Sequence, residues 1–139
     1  MTGKVKPIPD RYHTAIPYLL VREASKAIDF YKRAFGAKEM IRMADPGGRV
    51  GHAEIRIGNS PVMLADEFPE MATGSPQSLG GSPVSIFLYV KDVDALTSQA
   101  VAAGAKLLRP VEDMFYGDRA GSIRTRSATD GILQHTRKT

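Results

Sequence analysis

The chain contains no cysteine and no tryptophan. Without cysteine there is no disulfide framework, no thiolate metal site and no cysteine nucleophile. No apolar run approaches the roughly 20 residues of a membrane-spanning helix, and Met1–Pro7 lacks the apolar core of a signal peptide. A cytoplasmic protein with no membrane partner is expected. Phosphate-loop and hydrolase signatures are also missing: Gly80-Gly81 is not followed by Lys-Ser/Thr, and no Gly-x-Ser-x-Gly elbow occurs. The net charge of +4 comes largely from Arg119, Arg124, Arg126, Arg137 and Lys138 near the end. No basic stripe interleaves with aromatics, so nucleic acid is not an expected partner.

What is present fits one domain over residues 1–139, large enough for a proper core. In Val50–Glu67, Ala53, Ile55 and Ile57 alternate with His52, Glu54 and Arg56, and Gly58-Asn59-Ser60-Pro61 supplies a turn. That is a hairpin with an apolar face and a polar face. Before it, Pro7 and Pro9 make residues 1–12 a loose lead-in. Thr14–Val21 reads as a strand with Pro17 at an edge or bulge, and Ser25–Phe35 as a helix capped by Ser25 and stopped by Gly36. Lys38–Met43 is a further strand.

The pattern then repeats. After a Pro, Gly and Ser-rich loop, Val84–Val90 reads as a strand. Asp92 caps a helix with a buried stripe of Val93, Leu96, Thr97, Ala100 and Val101. Tyr18–Glu23 leads through a helix to Phe35-Gly36-Ala37-Lys38, and Phe87–Asp92 leads through a helix to Ala103-Gly104-Ala105-Lys106. The period is about 69 residues, as these paired segments show. Module one covers about 14–67, a loop 68–83, and module two about 84–136. The expected fold class is α+β: tandem βαβββ modules forming curved mixed sheets around a cavity.

Ala27-Ile28-Asp29-Phe30-Tyr31, Ala34-Phe35-Gly36-Ala37, Gly51-His52-Ala53-Glu54 and Met63–Glu67 appear in that order. Leu79-Gly80-Gly81-Ser82, Tyr89–Ala95 and Phe115–Gly121 follow. Over about residues 14–124 the chain resembles the vicinal oxygen chelate superfamily (glyoxalase I, bleomycin-resistance proteins, extradiol dioxygenases), and within it the PhnB-like branch. Relatives of this kind continue with Asp-Pro-Phe-Gly-His, one residue, then Trp. Here Thr125–Thr139 stands instead. Codons can be written for this tail that, read one base earlier, give Asp-Pro-Phe-Gly-His-Gly-Trp. A frameshift after Arg124 is the resulting expectation.

The resemblance implies that enzymes of the superfamily hold a divalent metal with His, Glu or Gln from the first and last strands of each module. Here those strands open with Pro17-Tyr18 and Phe87, which are not ligands, leaving His52 and Glu67 as weak metal candidates. No cofactor is predicted, although a divalent metal is possible. His52 and Glu54 share one strand face, about 7 Å apart from the strand rise. They read as a polar ligand or acid–base pair, or as a surface histidine beside a Glu54–Arg56 ion pair. Phe87 and Tyr89 share a face suited to a flat ligand, or are half of an ordinary core. Tyr116 and Arg119, around Gly117-Asp118, read as a cavity mouth, or else Asp118 and Arg119 form a surface pair at a tight turn. His135 has no expected role.

The expected function is a glyoxalase/bleomycin-resistance-like small-molecule binding protein, a homodimer without a complete metal site. Its ligand would contact His52, Glu54, Phe87, Tyr89, Tyr116 and Arg119. The alternatives are a metal-dependent lyase, isomerase or dioxygenase of the same superfamily, and an inert member with a disrupted C-terminal strand.

Overall fold

The architecture starts from the alternating hairpin. In the computed structural model, which describes residues 6–68, 74–127 and 129–136, it forms β3 (Val50–Ile57) and β4 (Ser60–Asp66), paired antiparallel with Ala53 opposite Leu64 and Ile55 opposite Val62. Before it come β1 (Tyr18–Val21), α1 (Ala24–Phe35) and β2 (Lys38–Ala44). After it come α2 (Pro76–Leu79), β5 (Ser85–Tyr89), α3 (Val93–Ala102), β6 (Lys106–Asp113), β7 (Asp118–Arg124) and β8 (Asp130–Thr136).

The strands make two mixed sheets with the same topology, β1-β4-β3-β2 and β5-β8-β7-β6. In each, the first strand runs parallel to the last and the remaining pairs are antiparallel. A parallel pair needs a crossover, and the intervening helix with its following strands supplies it. The duplicated βαβββ pattern is therefore realised twice, giving an α+β fold.

The two helix-bearing faces pack against each other. Ala27, Ile28, Phe30, Tyr31 and Ala34 of α1 are buried with Val93 and Ala100 of α3, Ile55 and Leu64 of sheet one, and Ile123 and Leu133 of sheet two. Full burial of side chains such as Phe30 and Ile28 stabilises by roughly 1.5–3 kcal/mol each. Gln99 Nε2 donates to the Ala34 carbonyl at 3.0 Å, joining α3 to the end of α1. Tyr31 OH lies 3.5 Å from Ser127 Oγ across the same junction, and burial pushes the Tyr31 phenol pKa above its ordinary value.

Local details differ from the sequence reading where tertiary contacts intervene. The first strand begins at Tyr18 rather than Thr14, although the Pro17 carbonyl still accepts the Met63 N–H. Ser25 is not the cap of α1. The cap position is Glu23, in a left-handed conformation (φ 54°) with no side-chain cap bond, while Ser25 Oγ accepts from Arg42. The α3 stripe is narrower than expected: Val93, Thr97 and Ala100 are buried, but Val101 is exposed. The loop expected at 68–83 contains α2, capped by the Ser75 hydroxyl; residues 69–73 of that loop lie outside the described residues. The last strand, expected to be disrupted in one alternative, is formed as β8 and paired on both edges.

Candidate functional site

With the helix faces packed together, the other face of each sheet is the place for polar chemistry. On sheet one, period-2 alternation and the Tyr18–Met63–Glu54 register put Tyr18, His52, Glu54 and Arg56 on this side. Glu54 is only 1% exposed. A carboxylate so buried is costly without a donor, and Tyr12 OH provides one, donating to Oε1 at 2.5 Å. Residues read as a loose lead-in thus fold over the polar face. Arg56 donates to the Arg11 carbonyl at 3.1 Å rather than pairing with Glu54, and its buried Nε has no partner among the described residues. Beside them Tyr18 OH meets His52 Nδ1 at 2.9 Å, the rings tilted with centroids 5.5 Å apart.

On sheet two the equivalent face carries Phe87 and Tyr89 of β5, Gln134 of β8, and Tyr116 from the β6–β7 connection. The two β5 rings lie 5.1 Å apart and are 47% and 64% exposed, so they form an open aromatic wall and not core. Polar groups are fixed beneath it. Tyr116 OH donates to Gln134 Oε1 at 3.0 Å, Gln134 Nε2 donates to Tyr89 OH at 3.1 Å and to Asp118, and Tyr89 OH donates to Asp118 Oδ2 at 3.1 Å. The Asp118 carboxylate pushes the Tyr89 phenol pKa up. A cavity of about 270 Å³ opens here, lined by Phe87, Tyr116, Ser122, Ile132 and Gln134 among others.

The predicted residues therefore fall into three groups. His52 and Glu54 share sheet one, and Phe87, Tyr89 and Tyr116 share sheet two. Arg119 points the opposite way from Asp118, where it meets Asp94 of α3 at 2.8 Å and Asp113 at the end of β6 at 3.0 Å. Those two carboxylates raise the Arg119 pKa, and Arg119 lowers that of Asp94. Sequence reasoning missed Tyr12, Asp118 and Gln134. Asp118 and Gln134 meet the β5 aromatics only through the pairing of β8 with β5 and β7, which no local sequence pattern gives, and Tyr12 carries no signal either.

Comparison with known proteins adds a family. Residues 12–131 match the Glyoxalase/Bleomycin resistance protein/Dioxygenase superfamily. The chain belongs to this superfamily. An uncharacterized protein of Mycobacterium bovis is 46% identical over 110 residues, covering 77% of this chain and 72% of that protein. A Mycobacterium tuberculosis protein, also uncharacterized, is equally similar, with 65% of its length covered. Among solved structures, a gene product of Arabidopsis thaliana superposes with a TM-score of 0.71 at 26% identity, over 88% of this chain and 98% of that one. TioX from Micromonospora sp. ML1 gives 0.68 at 22% identity, over 91% and 98%, a likeness of fold.

Superfamily membership raises the question of a metal, and the donor set here does not fit one. Tyr18 and Phe87 occupy the strand positions from which the first ligands would come. Glu67, the carboxylate candidate, already accepts from Ser78 Oγ at 2.6 Å, Arg22 Nε at 3.0 Å and Ser75 Oγ at 3.2 Å. The Ser78 hydroxyl, then the Ser75 amide and Arg22, hold its pKa down to about 2. His52 Nδ1 is engaged by Tyr18. Among the described residues, no three His, Asp or Glu side chains converge as a ligand set. On sheet two this glyoxalase-superfamily chain carries an exposed aromatic wall and a fixed amide–phenol network.

Proposed function

We propose that this protein is a glyoxalase/bleomycin-resistance-like small-molecule binding protein of the PhnB-like branch, acting in the cytoplasm without a complete metal centre. The observation that carries the reading is the exposed Phe87–Tyr89 wall standing over the Tyr116–Gln134–Tyr89–Asp118 network. An apolar wall with a few oriented polar groups is what a small, flat ligand needs. His52 and Glu54 supply the complementary polar surface. The chain is a homodimer in this reading, its partner's sheet one closing over sheet two. Met43 at 61% exposure and Tyr18 at 47%, both beside His52, support an apolar rim that a second copy covers.

The tail after Arg124 is the product of a shifted reading frame, supported by its departure from Asp-Pro-Phe-Gly-His. The nucleotide sequence tests it: a gene with no frame encoding that pentapeptide there ends the idea.

A thermal-shift screen of aromatic, glycopeptide and phosphonate compounds tests the binding function. A ligand present at 100 times its Kd stabilises by about 2.7 kcal/mol, so hits should raise the melting temperature of the wild type and not of Phe87→Ala. Stoichiometric Zn, Ni, Fe or Mn in the purified protein would instead favour the metal-dependent lyase, isomerase or dioxygenase.

A further inference from the structure

The cavity on sheet two has a feature that neither the family nor the binding reading requires. Of the described residues lining it, one alone is charged: Arg109 of β6. Most cations here are engaged, Arg22 by Glu67, Arg42 by Glu39 and Arg119 by Asp94. The Arg109 side chain makes no hydrogen bond or ion pair with any described residue.

The backbone is built to bring it there. Along β6 and β7, Arg109 pairs with Ser122 and Glu112 with Ala120, so three steps on β6 match two on β7. The surplus residue makes a bulge at Pro110-Val111, opposite Gly121. A second surplus residue falls between Leu107 and Arg109. Pro110 is tolerated because β6 is an edge strand. Gly121 is needed for a different reason: a Cβ there would lie 2.9 Å from Val111 Cγ2 and 3.2 Å from the Arg109 carbonyl. The absent side chain lets β6 press onto β7 from the Arg109 carbonyl to Val111. Bulges commonly re-aim a side chain next to a binding site, and here the re-aimed side chain is an unpaired guanidinium.

The opposite side of the cavity is set differently. Both amide hydrogens of Gln134 are used, by Tyr89 and Asp118. Phe87, Ile132 and Tyr116 line the same cavity. An aromatic slot of about 270 Å³ with one free guanidinium at its border matches a planar ring system of one or two rings carrying a single anionic group. A guanidinium holds a carboxylate through two parallel N–H donors, a pairing that Lys cannot copy and a neutral amide cannot fully accept.

We propose that Arg109 is the anion-recognising residue of this site and that the ligand class is a small planar aromatic carboxylate. This rests on the reading of sheet two as the binding face. The test is isothermal titration of full-length wild type, Arg109→Met, Arg109→Lys and Phe87→Ala with two isosteric probes, 2-naphthoate and 2-naphthamide. The wild type should bind naphthoate at least about tenfold more tightly than naphthamide. Arg109→Met should lose that preference while keeping its affinity for naphthamide, and Arg109→Lys should keep part of it. Phe87→Ala should weaken both probes. Equal binding of the two probes by the wild type, or an unchanged preference in Arg109→Met, overturns the proposal and leaves the binding face standing if Phe87→Ala still weakens both. Failure of both probes to bind at millimolar concentration overturns the proposal and the binding face together. Circular dichroism of each variant separates lost binding from lost folding.

Discussion

Asp66 and His135 hold the same position in the two halves of the fold and perform the same task. Asp66 Oδ1 accepts the N–H of Ala24, the first residue of α1, at 2.8 Å. His135 Nδ1 accepts the N–H of Val93, the first residue of α3, at 2.8 Å. Val93 and His135 each stand 69 positions beyond Ala24 and Asp66. A helix begins with N–H groups that have no intrahelical partner, and in both modules a side chain of the closing strand satisfies the first of them. His135, which the sequence left without a role, is thus a helix cap delivered across the sheet.

The two caps should differ in weight. Asp66 is buried and its second oxygen accepts the Val50 N–H at 2.7 Å, so it anchors β3 as well as α1. Asp66→Ala should cost about 3 kcal/mol, from two charge-assisted bonds lost to buried donors. His135→Ala should cost about 1 kcal/mol, the usual figure for a lost cap. Urea denaturation of the two variants checks the order; an Asp66→Ala protein as stable as His135→Ala contradicts it.

Tyr12 belongs to the folded structure and not to a loose lead-in. Its hydroxyl is the donor that the Glu54 carboxylate has in the interior of sheet one. Tyr12→Phe should destabilise by about 1–3 kcal/mol, and Tyr12→Phe with Glu54→Gln should cost less than the two changes summed. A double-mutant cycle by chemical denaturation gives the coupling directly, and a coupling of zero sets aside this contact.

Glu67 ties the segment around α2 to the end of β4, and its charge makes that tie depend on pH. Its carboxyl titrates at an ordinary 4.5 when unfolded and at about 2 when folded. A lowered folded value means stability that is fully present above about 4.5 and is lost as the pH falls toward 2. Glu67→Gln cannot show this dependence. Melting temperatures of wild type and Glu67→Gln should differ near neutral pH, converge below pH 4.5, and coincide near pH 2; a gap that stays constant across that range contradicts the assignment.

The fold was legible because its signal is local and repeated. Alternation in Ala53–Ile57, the Gly58–Pro61 turn and the helix stops at Gly36 and Gly104 all depend on neighbours in sequence, and two copies reinforce each other. The left-handed φ of 68° at Gly36 is what such a stop requires. The sharing of a face by Phe87 and Tyr89, and by His52 and Glu54, follows from the same alternation. The rest depends on partners distant in the chain. The cap of α1 comes from Asp66, 42 positions away, so Ser25 was the nearer and wrong candidate. Arg119 was grouped with Tyr116 by proximity, yet one step along β7 reverses the side-chain direction, and Asp94 of α3 holds it. The Gln134 network and the Arg109 bulge need the strand register, which no local pattern gives.

The central claim is that a small molecule binds the aromatic face of sheet two. Amide chemical-shift mapping with a compound that raises the melting temperature tests it most directly. The account predicts the largest shifts at Phe87, Tyr89, Tyr116, Ser122 and Gln134. Shifts confined to Gly58, Asn59, Lys91 and Leu96, on the far border of an adjoining cleft of about 640 Å³ that shares Phe87 and Tyr89, would contradict it.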